Sequence, residues 1–275
     1  MRTASPSPNP YVLGSNETEH LRLVRQARLL EPLTERLFRE AGIGHGMRVL
    51  DLGCGMGDVS MLAARLVGPS GQVVGVDQDD KVLAKARQRV EAAGYENIGF
   101  FQSDVTSLPP REPFDAAVGR FILVFLPDRV AMLKALCALL RSGGVLAFQE
   151  PSWANMLAQT AHLPLRMEAA SLIHDTLVRS GIRTNNELLL YRDFQAAGLP
   201  PPSLCSELLL GNDPEIRRFL VDLLSTLWPR AGELGLPRHK VGDLNTLAAR
   251  LDAELDANNS FATCLGVVGA FSRRP

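Results

Sequence analysis

The stretch Val49-Leu50-Asp51-Leu52-Gly53-Cys54-Gly55-Met56-Gly57-Asp58 leaves a chain few ways to fold. A hydrophobic run of strand length meets an acid, passes three glycines at alternate positions and enters a helix-forming segment. Glycine at these positions allows backbone angles closed to other residues and lets a ligand approach the main chain. The helix that opens near Asp58 presents N–H groups with no partner inside the helix. A buried strand, a glycine turn and a helix in this order belong to an α/β sheet, at whose carboxyl edge nucleotide-sized ligands bind.

The spacing narrows the ligand. The dinucleotide fingerprint G-x-G-x-x-G seats a pyrophosphate on the helix N-terminus. Here the third glycine comes one residue early. Asp51 and Asp58 repel a pyrophosphate and suit a ligand with a cationic portion.

Strands and helices alternate on either side of this turn. The patterns predict strands over 48–52, 72–76, 98–102, 114–118 and 145–149, and helices over 58–67, 80–93 and 128–140. Gly68-Pro69-Ser70-Gly71 and Ser142-Gly143-Gly144 read as turns. This alternation implies a parallel sheet covered on both faces. Ahead of it, 17–30 has helical spacing, and Pro32 fits the first turn of a second helix ending near Ala41. After Pro151 the rhythm changes. Helices are predicted over 162–181, 185–197, 213–228 and 241–257, with strands over 204–210 and 264–272. The segments near 151–182 and 213–258 are helical additions. They form either a cap over the carboxyl edge or a dimer interface.

Composition excludes several classes. With 275 residues, 46% of them hydrophobic, the chain can bury a large core. Its net charge is -1 and its arginines are dispersed, so no nucleic-acid partner is expected. No apolar run approaches the length of a membrane span. Residues 1–16 read as a flexible lead-in without the apolar core of a signal peptide. Cys54, Cys137, Cys205 and Cys264 form no metal or disulfide pattern, and a reducing cytoplasm is expected. Cys54 reads as a small packing residue inside the turn. No metal site is expected.

Four further marks follow in order. Val73-Val74-Gly75-Val76-Asp77-Gln78 ends a strand in an acid placed to accept from a ribose diol. Asp79 and Asp80 are better placed to cap the next helix, which leaves Asp77 for a ligand. Phe101-Gln102-Ser103-Asp104-Val105 puts an acid after the third strand, for an adenine edge or for an Asx turn. Phe114 to Asp128 holds a strand, Gly119-Arg120 and an apolar loop. Leu140 to Leu146 stops a helix and starts a strand.

The pattern D-x-G-C-G-x-G followed by these marks resembles class I S-adenosylmethionine-dependent methyltransferases. The resemblance covers roughly residues 45–150 and is strongest to the small-molecule branch that serves ubiquinone and menaquinone biosynthesis and natural products. It implies a Rossmann-like, seven-stranded, mostly parallel sheet in the order 3-2-1-4-5-7-6, with the seventh strand antiparallel. It implies S-adenosyl-L-methionine as cofactor. Gly53, Cys54, Gly55 and Gly57 then approach the methionine part, and Asp51 holds the amine directly or through water. Asp77 and Gln78 take the ribose and adenine edge, and Asp104 and Val105 take adenine. Arg120 and Phe121 sit beside the methionine chain. Arg120 either pairs with the cofactor carboxylate or forms a structural bridge to Asp115 or Asp128. Tyr11, in Tyr11-Val12-Leu13-Gly14, resembles the lid segment of this branch. Arg22 and Gln26 either face the cofactor or lie on an exposed helix face, the reading preferred from sequence.

The expected organisation is a lead and lid over 1–44 and a methyltransferase domain with helical caps over 45–275. The expected reaction is methyl transfer to a small organic acceptor, with secondary metabolism as the setting. Base candidates are Glu150, His20, His162 and His174, each with a structural alternative. Glu150 has the strongest positional case, at the carboxyl end of a strand. Trp153 offers an aromatic wall or a packing residue. A homodimer is allowed. The alternatives are a non-methylating, cyclase-type enzyme on the same fold and a non-catalytic cofactor-binding protein. The glycine spacing disfavours a nicotinamide dehydrogenase.

Overall fold

The computed structural model describes residues 17–104 and 112–275. Its centre is a seven-stranded sheet. The strands are β1 (Arg48–Leu52), β2 (Gln72–Asp77), β3 (Ile98–Gln102), β4 (Phe114–Arg120), β5 (Leu140–Ser152), β6 (Ser203–Glu207) and β9 (Gly266–Arg273). Their order is β3-β2-β1-β4-β5-β9-β6. The first five run parallel, and β9 is antiparallel to both of its neighbours. This is the predicted order 3-2-1-4-5-7-6, with β9 as the sheet's seventh strand. The short strands β7 (Leu210–Gly211) and β8 (Ala262–Thr263) pair apart from it. The predicted strand 204–210 therefore ends early, at Glu207, and Leu210 joins the small ribbon.

Val49, Leu50, Leu52, Val73, Val74 and Val76 are all buried, as strands covered on both faces must be. The faces are covered by α2 (Asp58–Val67), α3 (Asp80–Ala92), α4 (Arg129–Leu139) and α7 (Asn186–Ala196). Ser142, Gly143 and Gly144 lie inside β5 rather than in a turn before it. Phe114 pairs with Leu140 but Ala116 with Val145, so the three residues form an irregularity in the ladder. A side chain on Gly144 would come within 2.9 Å of the Arg141 carbonyl.

The N-terminal segment is one helix, α1 (Glu17–Glu40), with Pro32 inside it. The expected break at Pro32 does not occur. Proline in a helix costs about 3 kcal/mol. Leu30, Leu33, Leu37 and Phe38 are buried on the same helix, and each contributes about 1.5–3 kcal/mol by burial. Their sum outweighs the break. The carbonyl that loses its donor belongs to Arg28, which is exposed.

The remaining helices are α5 (Ala154–Thr160), α6 (Pro164–Arg179), α8 (Pro214–Glu233) and α9 (Leu244–Ala257). The predicted helix 162–181 begins at Pro164, with α5 separate before it. These four helices share an apolar core that also includes Val124 and Trp153. Among the described residues, no helix is long and apolar enough to cross a membrane.

Candidate functional site

The carboxyl ends of β1, β2, β4 and β5 meet at the glycine turn. Because β1 lies between β2 and β4, the acids and loops that follow these strands become neighbours. Gly53 has φ +64°, and a Cβ there would fall 2.5 Å from Ile122 in the loop after β4. Only glycine lets those two loops touch. Gly55 has φ +52° and nothing within 4 Å of its Cβ position, so the backbone is open on that side. Gly57 occupies the N-cap position of α2 without a side-chain cap. The turn is tied to β2 by Cys54 N–H donating to Val76 O (2.9 Å) and Gly55 N–H donating to Asp77 Oδ2 (3.0 Å).

Asp51 is 1% exposed and accepts from the Ser60 hydroxyl at 2.6 Å. Burial pushes its carboxyl up to about 7, against the pull of Ser60 and Arg120. The α2 segment carries Ser60 among apolar residues, and that lone buried hydroxyl is the one sequence signal for this partner. Burial also raises the Cys54 thiol, in line with a packing role.

Asp58 does not face a ligand as an unpaired charge. Its Oδ1 accepts from Arg89 Nη2 at 2.7 Å, and Arg89 Nη1 reaches the Met56 carbonyl at 2.6 Å. The repulsion expected of Asp58 is therefore offset, which leaves Asp51 and Asp77 as the acids of the turn.

Asp77 is not left wholly free by its neighbours. Besides Gly55, it accepts from Asp79 N–H at 3.0 Å. Asp79 caps α3, accepting from Lys81 N–H at 2.9 Å. Gln78 is exposed beside it, with its carbonyl accepting from Gln102 Nε2. Asp104 is exposed just past β3. Val105 and Tyr11 lie outside the described residues.

Arg120 makes neither of the bridges considered from sequence. Asp115 is taken by Arg141 (2.5 Å) and the Arg48 N–H (2.7 Å), and Asp128 caps α4 through Ala131 N–H. Arg120 Nη1 instead donates to Thr34 Oγ1 of α1 at 3.0 Å. That oxygen also lies 2.7 Å from Gln149 Oε1. Burial lowers the Arg120 pKa, and Asp58, Asp51 and Glu31 oppose the shift. Phe121 follows with φ +57°, a backbone state unusual for an aromatic residue.

Glu150 is completely buried. Its carboxylate accepts from three consecutive backbone N–H groups: Ile122 (3.2 Å), Leu123 (2.9 Å) and Val124 (3.2 Å). Burial pushes its carboxyl up to about 7, while Arg129 and the three amides pull it down. Arg129 is in turn held by Asp193 (2.7 Å) and Asn186 (2.8 Å) of α7. The carboxylate expected to be a base is thus engaged with the loop that carries Phe121.

The histidines are dispersed. His174 of α6 bonds Thr184 Oγ1 at 3.0 Å and stands edge-on to Trp153 at 6.2 Å. His162 is exposed and bonds Ser260. His20 belongs to α1, but its side chain is outside the described set. Arg22 and Gln26 are buried, contrary to the preferred exposed-face reading. Arg22 donates to both Glu19 oxygens (2.7 and 2.6 Å) and to Gln26 Oε1 (2.7 Å). Thr226 of α8 donates to Glu19 at 3.0 Å, and Asp222 accepts from Arg25 at 2.9 Å. These contacts dock α1 onto α8 and account for the burial.

A family profile described as methyltransferase domain matches residues 43–194. Aklanonic acid methyltransferase DauC of Streptomyces sp. (strain C5) is 36% identical over 121 residues, 44% of this chain and 55% of that protein. Ubiquinone/menaquinone biosynthesis C-methyltransferase UbiE of Pseudomonas putida is 37% identical over 127 residues, 44% of this chain and 49% of that protein. The chain thus spans about half the length of these curated relatives. Among solved structures, the [4+2]-cyclase SpnF superposes with a TM-score of 0.53 at 20% identity, covering 89% of this chain and 81% of that one. At that identity it shows the fold alone. The match from Ile43 to Phe194 takes in the glycine turn, Asp77, Asp104, Arg120 and Glu150, and by it the chain belongs to the methyltransferase domain family.

Proposed function

We propose that the chain catalyses S-adenosylmethionine-dependent methyl transfer to a small organic acceptor, in secondary metabolism. The observation that carries this reading is the buried acid-and-glycine turn, Asp51 to Gly57, tied to Asp77 in a chain of this family. The residues fit the cofactor. Gly55 leaves the backbone open, Asp51 meets an amine, and Asp77 has lone pairs to spare for a ribose diol. In this proposal Gln78, Asp104 and Val105 take the adenine side, Arg120 and Phe121 flank the methionine chain, and Tyr11 closes from the lid. Residues 1–44 serve as lead and lid, and 45–275 as the catalytic domain.

When bound, S-adenosylmethionine supplies a methyl group on a cationic sulfur, already poised to leave. The protein's task is to align the acceptor, and positioning of this kind is worth about 7–11 kcal/mol. The helical cap keeps water away, which strengthens every charge interaction beneath it. We assign Glu150 to positioning rather than to proton transfer, because its oxygens hold three amides of the loop after β4. His174, beside Trp153 and half-buried, remains the candidate base among the described histidines. We also infer a cytoplasmic protein that acts on small molecules rather than on nucleic acid or membrane. Its near-neutral charge and scattered arginines support this inference. A homodimer through the cap helices is the competing use of the same surface, and a solution mass separates the two.

Product mass tests the reaction. Incubation with S-adenosylmethionine and a panel of small hydroxylated, carboxylated and carbon-nucleophile acceptors is expected to add one methyl and release S-adenosylhomocysteine. Turnover of an acceptor without added mass would favour the cyclase-type alternative.

Asp51 gives a pH signature. Its carboxyl, pushed up to about 7, is mostly protonated at pH 6 in the ligand-free chain. An incoming amine favours the charged form, so binding releases a proton there. S-adenosylhomocysteine affinity is expected to rise about fivefold from pH 6 to pH 7 and about tenfold by pH 8, and to level off above that. Calorimetry in two buffers of different ionisation heat checks this. A flat affinity from pH 5.5 to 8 contradicts the assignment of Asp51. Stability runs the other way. Asp51 and Glu150, both raised to about 7, favour the fold below pH 4, and that contribution is lost as pH rises through 7.

A further inference from the structure

Buried donors in folded proteins nearly always have acceptors. Among the described residues, the buried side-chain donors without an acceptor belong to Arg129, Trp153 and Arg166. Arg166 is fully buried, and its Nε, Nη1 and Nη2 all lack a protein acceptor. The indole Nε1 of Trp153, 3% exposed, lacks one too. Arg129 is a different case, since its Nε lies 2.7 Å from Asp193 and its Nη1 donates to Asn186, which leaves only Nη2 without an acceptor.

Arg166 stands in the first turn of α6, on the stripe that continues through Ala169, Ala170, Ile173 and Leu177. Those four belong to the apolar cluster that also holds Trp153 and Val124. Trp153 follows the end of β5, and Val124 lies in the turn after β4. The cluster therefore runs from the carboxyl edge of the sheet into the cap.

The nearby acids are already committed. Glu254 caps α6, with its two oxygens accepting from Leu165 N–H (2.6 Å) and Arg166 N–H (2.9 Å). Asp252 faces Arg217 at 3.3 Å. Their fields reach the guanidinium, but neither bonds it. A buried unpaired cation is among the costliest groups a fold can carry, and an apolar residue of similar volume is usually at least as stable there. Both orphan groups are donors with no acceptor capacity. The matching ligand group is therefore an acceptor without hydrogens. The planar guanidinium fork fits a carboxylate.

We propose that Arg166 recognises a carboxylate on an otherwise apolar methyl acceptor, with the Trp153 indole N–H as a separate donor elsewhere along the same helical cap. The proposal rests on the methyl-transfer reading for its setting, because it treats the cap core as the acceptor chamber. The alanines at 169 and 170 keep that part of the helix stripe small beside the cation. The apolar side chains of the cluster suit the acceptor's remaining skeleton.

The test uses the full chain and two probes of one shape, 2-naphthoate and 2-naphthamide, titrated with and without S-adenosylhomocysteine. The parent is expected to bind the carboxylate at least tenfold more tightly than the amide. Arg166→Met is expected to lose that preference, keep its affinity for S-adenosylhomocysteine and melt at or above the parent's temperature. Arg166→Lys is expected to retain part of the preference. No carboxylate preference in the parent, or an undiminished one in Arg166→Met, overturns the proposal. So does a clear fall in the melting temperature of Arg166→Met, because it reveals a structural partner for the guanidinium. Failure of the parent to bind S-adenosylhomocysteine sinks the methyl-transfer reading instead, and the titrations without that compound still report on Arg166.

Discussion

Asp77→Ala is expected to weaken S-adenosylmethionine binding by a factor of at least about 10² while the chain stays folded. The carboxylate ends β2 and already holds the glycine turn through Gly55 and the entry to α3 through Asp79. Each hydrogen bond from a ribose hydroxyl to a carboxylate is worth about 1.5–3 kcal/mol. Two of them amount to at least about 3 kcal/mol, or two powers of ten in affinity. Removal of the side chain also releases Gly55, so the turn itself loosens. The fold survives because Asp77 is only half-buried and Cys54 still bonds the Val76 carbonyl. Asp77→Asn keeps one acceptor oxygen and is expected to fall between alanine and the parent. Calorimetry reads the affinities, and circular dichroism reads the fold. Equal affinity in parent and alanine variant removes Asp77 from the cofactor site.

Glu150→Ala is expected to do more damage than any other single change at the site. It leaves the N–H groups of Ile122, Leu123 and Val124 without their acceptor in a buried loop. An orphaned buried group costs about 1–3 kcal/mol, so three cost about 3–5 kcal/mol after partial relaxation. For a chain of this size that is a fall on the order of 10 °C in melting temperature. The same loop carries Phe121 at φ +57°, a state that persists only where its surroundings hold it. Turnover is therefore expected to be lost together with stability. Glu150→Gln separates the two possible roles. A positioning residue keeps an acceptor in glutamine, and turnover is expected to stay within about tenfold of the parent, with the shape of its pH profile unchanged. A general base loses about 10²–10⁴ in turnover with little change in melting temperature. The second pattern would return Glu150 to the role expected from its position alone.

Local features of the site were readable from the chain, and distant ones were not. The turn from Asp51 to Gly57 and the acid Asp77 lie within single strand-turn-helix units, where short-range geometry decides the structure. Asp79 as the cap of α3 is of the same kind. The alternation of elements indicated a parallel sheet, and the family resemblance alone supplied the strand order, including the antiparallel last strand. Pro32 misled because a local penalty was weighed without the four buried residues that outweigh it. Arg22 and Gln26 misled because burial on α1 comes from α8, some two hundred residues later. Arg120 meets Thr34 across 86 positions, and Glu150 reaches back 26 to 28 positions to its amides. No periodicity encodes such contacts. Nothing in the residue type of Phe121 signals a positive φ. The buried guanidinium of Arg166 was equally hidden, since an arginine in an amphipathic helix ordinarily reads as exposed.

A crystal structure of the chain grown with S-adenosylhomocysteine tests the central claim most directly. The account predicts the ligand in the bend between β1 and α2, with its amine at Asp51 and its ribose hydroxyls on Asp77. A bend that stays empty at saturating ligand, or a ligand bound elsewhere on the chain, contradicts it.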